Sequence, residues 1–211
     1  MSHVLRRLAL ALLLFLSVYA PAFALVAWLH PSVGLTIPLI IAVSACIAAI
    51  CMALLAKPPK AASEFGLASS RFSFIVAATI AGVIFGLGFA YIAARYPARS
   101  PLDLSKLQPS MIFIYFVIAA PIQEELIFRG LLQGFISRGA SSHTFWPIHF
   151  PVFFTAVLFG IIHVDSGIVV AIEAVLLGLI AGELRRMSGS LIPAILFHGL
   201  LNAASALWPS A

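Results

Sequence analysis

Charge is what this sequence has least of. Of 211 residues, 7 are Asp or Glu and 12 are Lys or Arg, so charged side chains make up 9% of the chain and hydrophobic ones 63%. A soluble domain carries roughly 25% charged and 45–50% apolar residues. The chain therefore lacks the polar side chains needed to cover a water-facing globule, and a mean hydropathy of +1.13 excludes a disordered tail. Cysteine is almost as scarce. Cys46 and Cys51 lie in one apolar stretch, which excludes a disulfide scaffold and reads as two small buried hydrophobes. A pI near 9.7 and a net charge of +5 invite a nucleic-acid reading. The cations, however, are scattered along the chain rather than gathered on one face, which reads as membrane topology and excludes nucleic acid as a partner.

What the sequence does have is long apolar runs. A spanning helix needs about 20 mainly apolar residues, and such runs fall at roughly 8–29, 35–56, 73–94, 110–131, 147–164, 168–184 and 190–208. The expected fold is all-α, a polytopic transmembrane helical bundle of about seven spans with its active site inside the bundle. The fifth and sixth runs are short enough to allow a tilted, broken or re-entrant segment. Arg6 and Arg7 before an apolar run, with Ala22-Phe23-Ala24 beyond it, resemble a signal peptide and cleavage site. The apolar character continues to residue 29, so the first run reads as a retained helix.

With the amino terminus in the cytoplasm, Arg6, Arg7, Lys57, Lys60, Arg71, Arg138, Arg185 and Arg186 lie inside, and Arg95, Arg99 and Lys106 outside. That asymmetry favours this orientation. Gly82 with Gly86, and Gly178 with Gly182, are small-xxx-small pairs and read as helix packing.

In so apolar a chain the informative residues are those expensive to place in lipid. The fourth run, MIFIYFVIAAPIQEELIFRGLL, carries Glu124, Glu125 and Arg129, which must face a bundle interior or a wet cavity. Glu125 and Arg129 are four residues apart on one helical face, whereas Glu124 is rotated by about 100° from Glu125. Glu125 is thus the natural partner of Arg129, and Glu124 is left free, the condition for a general base or acid. Pro121 donates no backbone bond, so a carbonyl near Val117 is expected to be unpaired and the helix bent there. The fifth run places Phe159 and His163 at i and i+4, and the last places His198 and Asn202 at the same spacing. Each histidine and the asparagine alone reads as interhelical hydrogen bonding, and Phe159 as core packing. Glu173, in the sixth run, either pairs with Arg129 or lines the cavity. Asp165 reads as a turn residue, and Glu183, Arg185 and Arg186 as a solvated helix end.

In order, Glu124-Glu125-x-x-x-Arg129, Phe159-x-x-x-His163 and His198-x-x-x-Asn202 resemble the three-motif signature of the CAAX protease and bacteriocin-processing (CPBP, or Abi) family, which includes Rce1-type CAAX prenyl endopeptidases. The resemblance covers roughly residues 110 to 206 and divides the chain into amino-terminal helices and loops, 1–109, and an Rce1-like catalytic region, 110–206. It implies an intramembrane endopeptidase. Glu124 matches the family glutamate that activates water, and His163 the histidine that assists it. His198 and Asn202 match the pair that stabilises the oxyanion, with Glu125 and Arg129 in support. The implied substrate is a peptide or membrane-associated protein, prenylated in the eukaryotic members.

Peptide hydrolysis needs a deprotonated water, donors aimed at the developing oxyanion and a proton for the leaving amine, and these side chains supply all of them. No Ser or Cys stands beside a base, which argues against an acyl-enzyme. A zinc ion held by Glu124, His163 and His198 is the alternative, but the H-E-x-x-H helix is absent, so the reading adopted has no metal cofactor. A non-proteolytic transporter or scaffold using intramembrane Glu, Arg and His is the other functional class, though no inverted repeat accompanies it. The expected location is the cytoplasmic membrane, or the endoplasmic reticulum membrane in a eukaryote. Depth poses a puzzle: Glu124 falls about 21 Å into its span at 1.5 Å per residue, whereas His163 falls near the outer end of its own. The two meet only if a span is tilted, offset or broken.

Overall fold

The computed structural model describes residues 3–56, 61–96, 107–138, 144–145 and 148–207. Lys57, Lys60, Arg99, Lys106 and His143, and the Pro58-Pro59 pair, lie outside the described residues. Helix α1 (His3–Leu29) leads to α2 (Val33–Leu55), a single turn α3 (Ala61–Glu64) and α4 (Phe72–Ala93). The central α5 (Pro109–Ser137) is followed by a two-residue antiparallel ladder, β1 (Thr144–Phe145) with β2 (Ile148–His149). Then come α6 (Phe150–Ile161), a 3-10 turn (Val164–Ser166), α7 (Ile168–Ser188) and α8 (Ile192–Leu207). The protein is an all-α, multi-pass membrane bundle. Among the described residues, four helices, α1, α2, α4 and α5, are long and apolar enough to cross a membrane by length and composition, and α6 and α8 are shorter apolar helices. Leu54, Phe72, Ile84 and Ile168 point outward and are highly exposed, as side chains in contact with acyl chains must be.

Lipid is as apolar as leucine, so burial alone does not hold such helices together; close backbone approach and buried hydrogen bonds do. Helix α4 lies along α8, where a Cβ added at Gly82 would fall 2.9 Å from the Phe197 carbonyl. Helix α6 lies along α7, where one added at Gly178 would fall 2.8 Å from the Ala156 Cα. Both glycine pairs therefore serve packing. Helix α5 runs through the middle, touching α1, α2, α6, α7 and α8.

Arg7 donates to the Phe135 carbonyl (3.3 Å), Arg138 to that of Leu55 (2.6 Å), and Arg185 to that of Glu64. The start of α1 and the ends of α2, α5 and α7 thus share one end of the bundle, in agreement with the charge asymmetry of the sequence. Arg185 corrects the expectation of a solvated helix end. It is buried because α3 folds over it, Leu67 pairing with Ser190 and Phe65 packing into the core. Glu183 and Arg186 do form an exposed pair, at 2.6 Å. Cys46 and Cys51 are free thiols, but Cys46 is exposed on the outer face and Cys51 only half-buried.

Candidate active site

The helix carrying the two glutamates is not a regular α-helix. Wide π turns occupy Ile114–Ala119 and Leu126–Leu132, on either side of an α segment, Ala120–Glu125. In the first of them the Ala120 N–H bonds the Tyr115 carbonyl, five residues back. In that register the Phe116 carbonyl faces residue 121, a proline with no N–H to give. The orphan is therefore Phe116 rather than Val117 as expected, because the wide turn shifts the register by one residue. Asn202, from α8, donates its amide Nδ2–H to that carbonyl at 2.8 Å. The two helices approach closely there, for a Cβ on Gly199 would lie 2.9 Å from the Val117 oxygen.

One and two turns further along α5 lie the ionisable groups. Glu125 and Arg129 are both fully buried, with Nη1 3.2 Å from Oε1. The Glu125 Oε1 also accepts from the His198 Nδ1–H at 2.9 Å, which fixes the proton of that imidazole on Nδ1. The other ring nitrogen, Nε2, points to Glu124, 3.5 Å from its Oε2. Glu124 is the one partly open group of this array, with 19% of its side chain exposed against 3% for His198. The order Arg129, Glu125, His198, Glu124 thus runs from the sealed core toward a partly exposed carboxylate.

His163 reaches this array through an aromatic ring. Its Nδ1 is bonded to the Phe159 carbonyl at 2.7 Å, and its ring lies 4.5 Å from that of Phe159. Phe159 in turn meets His198 edge-on at 5.9 Å, Phe128 at 4.9 Å and the Arg129 guanidinium at 4.8 Å. Phe159 is core packing, as its sequence suggested, and also the wall between the two histidines and the lid over the buried cation. Among the described residues, no ion pair joins His163 to either glutamate. The depth puzzle is answered by the length of α6. The helix occupies only Phe150–Ile161, not 147–164, and starts at the arginine end of the bundle, where the His149 N–H lies 3.5 Å from Glu183 Oε1. At about 1.5 Å per residue it rises about 18 Å, the depth at which Glu124 sits from the same end of α5.

Two further sets of residues escaped the sequence reading. Gln123, buried beside Glu124, donates its amide to the Tyr19 hydroxyl (3.1 Å) and to Ser44 Oγ (3.0 Å), tying α5 to α1 and α2. Gln133 donates to the Gly182 carbonyl at 3.1 Å, tying α5 to α7. The available signal was a glutamine in an apolar span, but nothing local names its partners. Glu173 does not pair with Arg129; it has one buried oxygen without a hydrogen-bond partner. Asp165 sits in the 3-10 turn, as read.

Residues 106–204 match the family model described as type II CAAX prenyl endopeptidase Rce1-like. Over this stretch, a little under half of the chain, the protein is similar to that family. No curated protein and no solved structure matches the chain. The Rce1-like segment begins just before α5 and ends in α8, so it contains both π turns, Phe159, and all the groups of the array. It supports a membrane protease of the CAAX type in general, acting on a membrane-associated protein substrate. Among the described residues, no three His, Cys, Asp or Glu side chains gather as metal ligands. His198 has Nδ1 on Glu125 and His163 has Nδ1 on the Phe159 carbonyl, which leaves their Nε2 atoms for any ligand role; these two and Glu124 are not gathered into one ligand cluster, and the chemistry below uses the side chains alone.

Proposed function

We propose that the protein hydrolyses a peptide bond in a membrane-associated protein or peptide by a glutamate-activated water. The observation that carries this reading is the graded array ending at Glu124: a partly exposed carboxylate 3.5 Å from an imidazole that is itself oriented by a buried acid and cation. Glu124 takes a proton from water and returns it to the leaving amine. His163, at the same depth on the far side of Phe159, assists at the water. The oxyanion is met by Asn202, whose amide has a second N–H beyond the one on Phe116, on the side of the site that the His198 ring borders. Glu125 and Arg129 hold the His198 ring; they orient it rather than touch the substrate. Gln123, through Tyr19 and Ser44, fixes the turn of α5 that presents Glu124. A prenylated tail is the substrate proposed first, in the cytoplasmic membrane.

The test uses purified protein in detergent with a quenched farnesylated CAAX peptide, wild type beside Glu124→Gln and His198→Ala, with and without a chelator. Wild-type cleavage that survives the chelator, with at least a thousandfold loss in Glu124→Gln and an unchanged unfolding midpoint, is the expected result. Chelator-sensitive cleavage restored by zinc overturns the metal-free mechanism. Equal cleavage by all three proteins overturns the assignment of the site, and a folded, inactive wild type on this peptide and on unprenylated ones returns the protein to the scaffold class.

A further inference from the structure

At the arginine end of the bundle, well away from Glu124, the starts and ends of three helices border a cavity of about 430 Å³. Its polar wall is Arg6 and Arg7 from α1 and Arg138 from the end of α5. Its apolar wall is Leu10, Leu54, Leu55 and Phe135. Two of the arginines are already aimed by the fold. Arg7 is held by the Phe135 carbonyl and lies over the Phe135 ring at 6.0 Å. Arg138 is held by the Leu55 carbonyl and lies over the Phe65 ring at 4.5 Å. Arg6 is exposed. One carboxylate stands nearby, Glu64, 2.6 Å from Arg138 Nη2, so three guanidiniums against one carboxylate leave the cavity with an excess of two positive charges.

Three arginines at a cytoplasmic helix end are by default topological. Here, however, they come from two helices far apart in sequence and converge on one half-open cleft, and the walls are not those of a soluble-anion site. Leu10 is 40% and Leu54 80% exposed, and Leu54 faces the lipid side of α2. The cavity therefore opens sideways onto the acyl-chain surface while its charged end lies at the headgroup level. Guanidinium groups match phosphate oxygens with paired N–H donors, and basic pockets between helices at the cytoplasmic face take anionic lipid headgroups. A free phosphate uses the arginines but leaves the leucine wall unused.

We propose that this cavity binds one anionic phospholipid, its phosphodiester on Arg6, Arg7 and Arg138 and an acyl chain along Leu10 and Leu54. The site is independent of the hydrolytic reading: it does not require that the protein cleave anything. A lipid seated there ties α1 and α2 to the end of α5.

The experiment takes the full chain, delipidated in a neutral maltoside detergent, and titrates it with phosphatidylglycerol, phosphatidylcholine or inorganic phosphate. Thermal unfolding and native mass spectrometry are the readouts. The expected result is a saturable rise in the unfolding midpoint with phosphatidylglycerol and one retained lipid, neither of them given by phosphatidylcholine or phosphate. Arg6→Glu, an exposed charge reversal that leaves the lipid-free midpoint in place, weakens phosphatidylglycerol binding at least tenfold. Arg7→Gln weakens it similarly, and Arg6→Glu serves where Arg7→Gln does not fold. An equal response to phosphatidylcholine shows ordinary solvation by lipid, and an equal response to phosphate shows a soluble-anion site. Either overturns the proposal, as does wild-type lipid retention in Arg6→Glu.

Discussion

Arg129 is the residue on which the carboxy-terminal half turns. Its guanidinium is fully buried, balanced by Glu125, and roofed by Phe159. Breaking a buried pair by removing one partner costs about 3–5 kcal/mol. Arg129→Met is therefore expected to lower the unfolding free energy by about that amount, and the double variant with Glu125→Gln to recover part of it, as measured by denaturant unfolding in mixed micelles. Asn202 has a separable structural duty. Asn202→Leu removes the only described donor to the Phe116 carbonyl and should cost about 1–3 kcal/mol, the desolvation of an unsatisfied polar group. On our reading of the site it also lowers kcat with little change in KM. At this scale the pairing of Glu125 with Arg129 and the separate position of Glu124 were legible in the sequence, because helical spacing alone fixes them. The placing of His198 between the two glutamates was not, since both lie on another helix: Glu125, to which it is hydrogen-bonded, is 73 residues away. Tyr19 was harder still. Its partner Gln123 is 104 residues distant, and a tyrosine in an apolar span looks like any other.

At the scale of helices, hydropathy located the segments to within about six residues, missing the start of α1 by five and the end of α5 by six, where Arg6, Arg7, Gln133 and other polar residues end the apolar run before the helix ends. It misjudged α6, because the apolar run continues through Ile162 and Val164 after the helix has ended at Ile161. It also carried no sign of the two π turns. The first depends on how α5 meets α8, where Pro121 removes a donor on one helix and Asn202 supplies one from the other. Glycine at position 178 is an element-scale device. A Cβ there would lie 2.8 Å from the Ala156 Cα and 3.0 Å from Arg129 Nη2. Gly178→Ala should therefore push α6 from α7 and displace the buried cation, destabilising the protein by about 1–3 kcal/mol. Thermal unfolding measures the loss, and peptide cleavage should fall along with it.

For the whole molecule, the decisive element is the short segment after α2. Glu64 pairs with Arg138 while its carbonyl accepts from Arg185, and Phe65 is 1% exposed. The pair itself is partly open to solvent, so Glu64→Ala should cost no more than about 1 kcal/mol. Phe65→Ala should cost about 3–5 kcal/mol and expose the end of the bundle to limited trypsin digestion at Arg185 and Arg186. None of this was visible in the sequence, where the segment reads as a loop with a serine-rich border. Its burial is a consequence of where α5 and α7 end, and that is a property of the assembled bundle.

The brevity of α6 has a consequence for solvent. A rise of about 18 Å falls well short of a hydrocarbon layer about 30 Å thick, so the turn after it, Val164–Ser166, lies at a depth where no lipid can satisfy a peptide group. Irregular backbone survives at such a level only where protein or water surrounds it. Val164 and Asp165 are exposed, so on our reading of the site this turn, next to His163 in sequence, is where water would have to reach. A bilayer is normally the driest part of a cell, and a hydrolase placed in it needs its second reactant delivered. On that reading, the shortness of α6 is what would let it in.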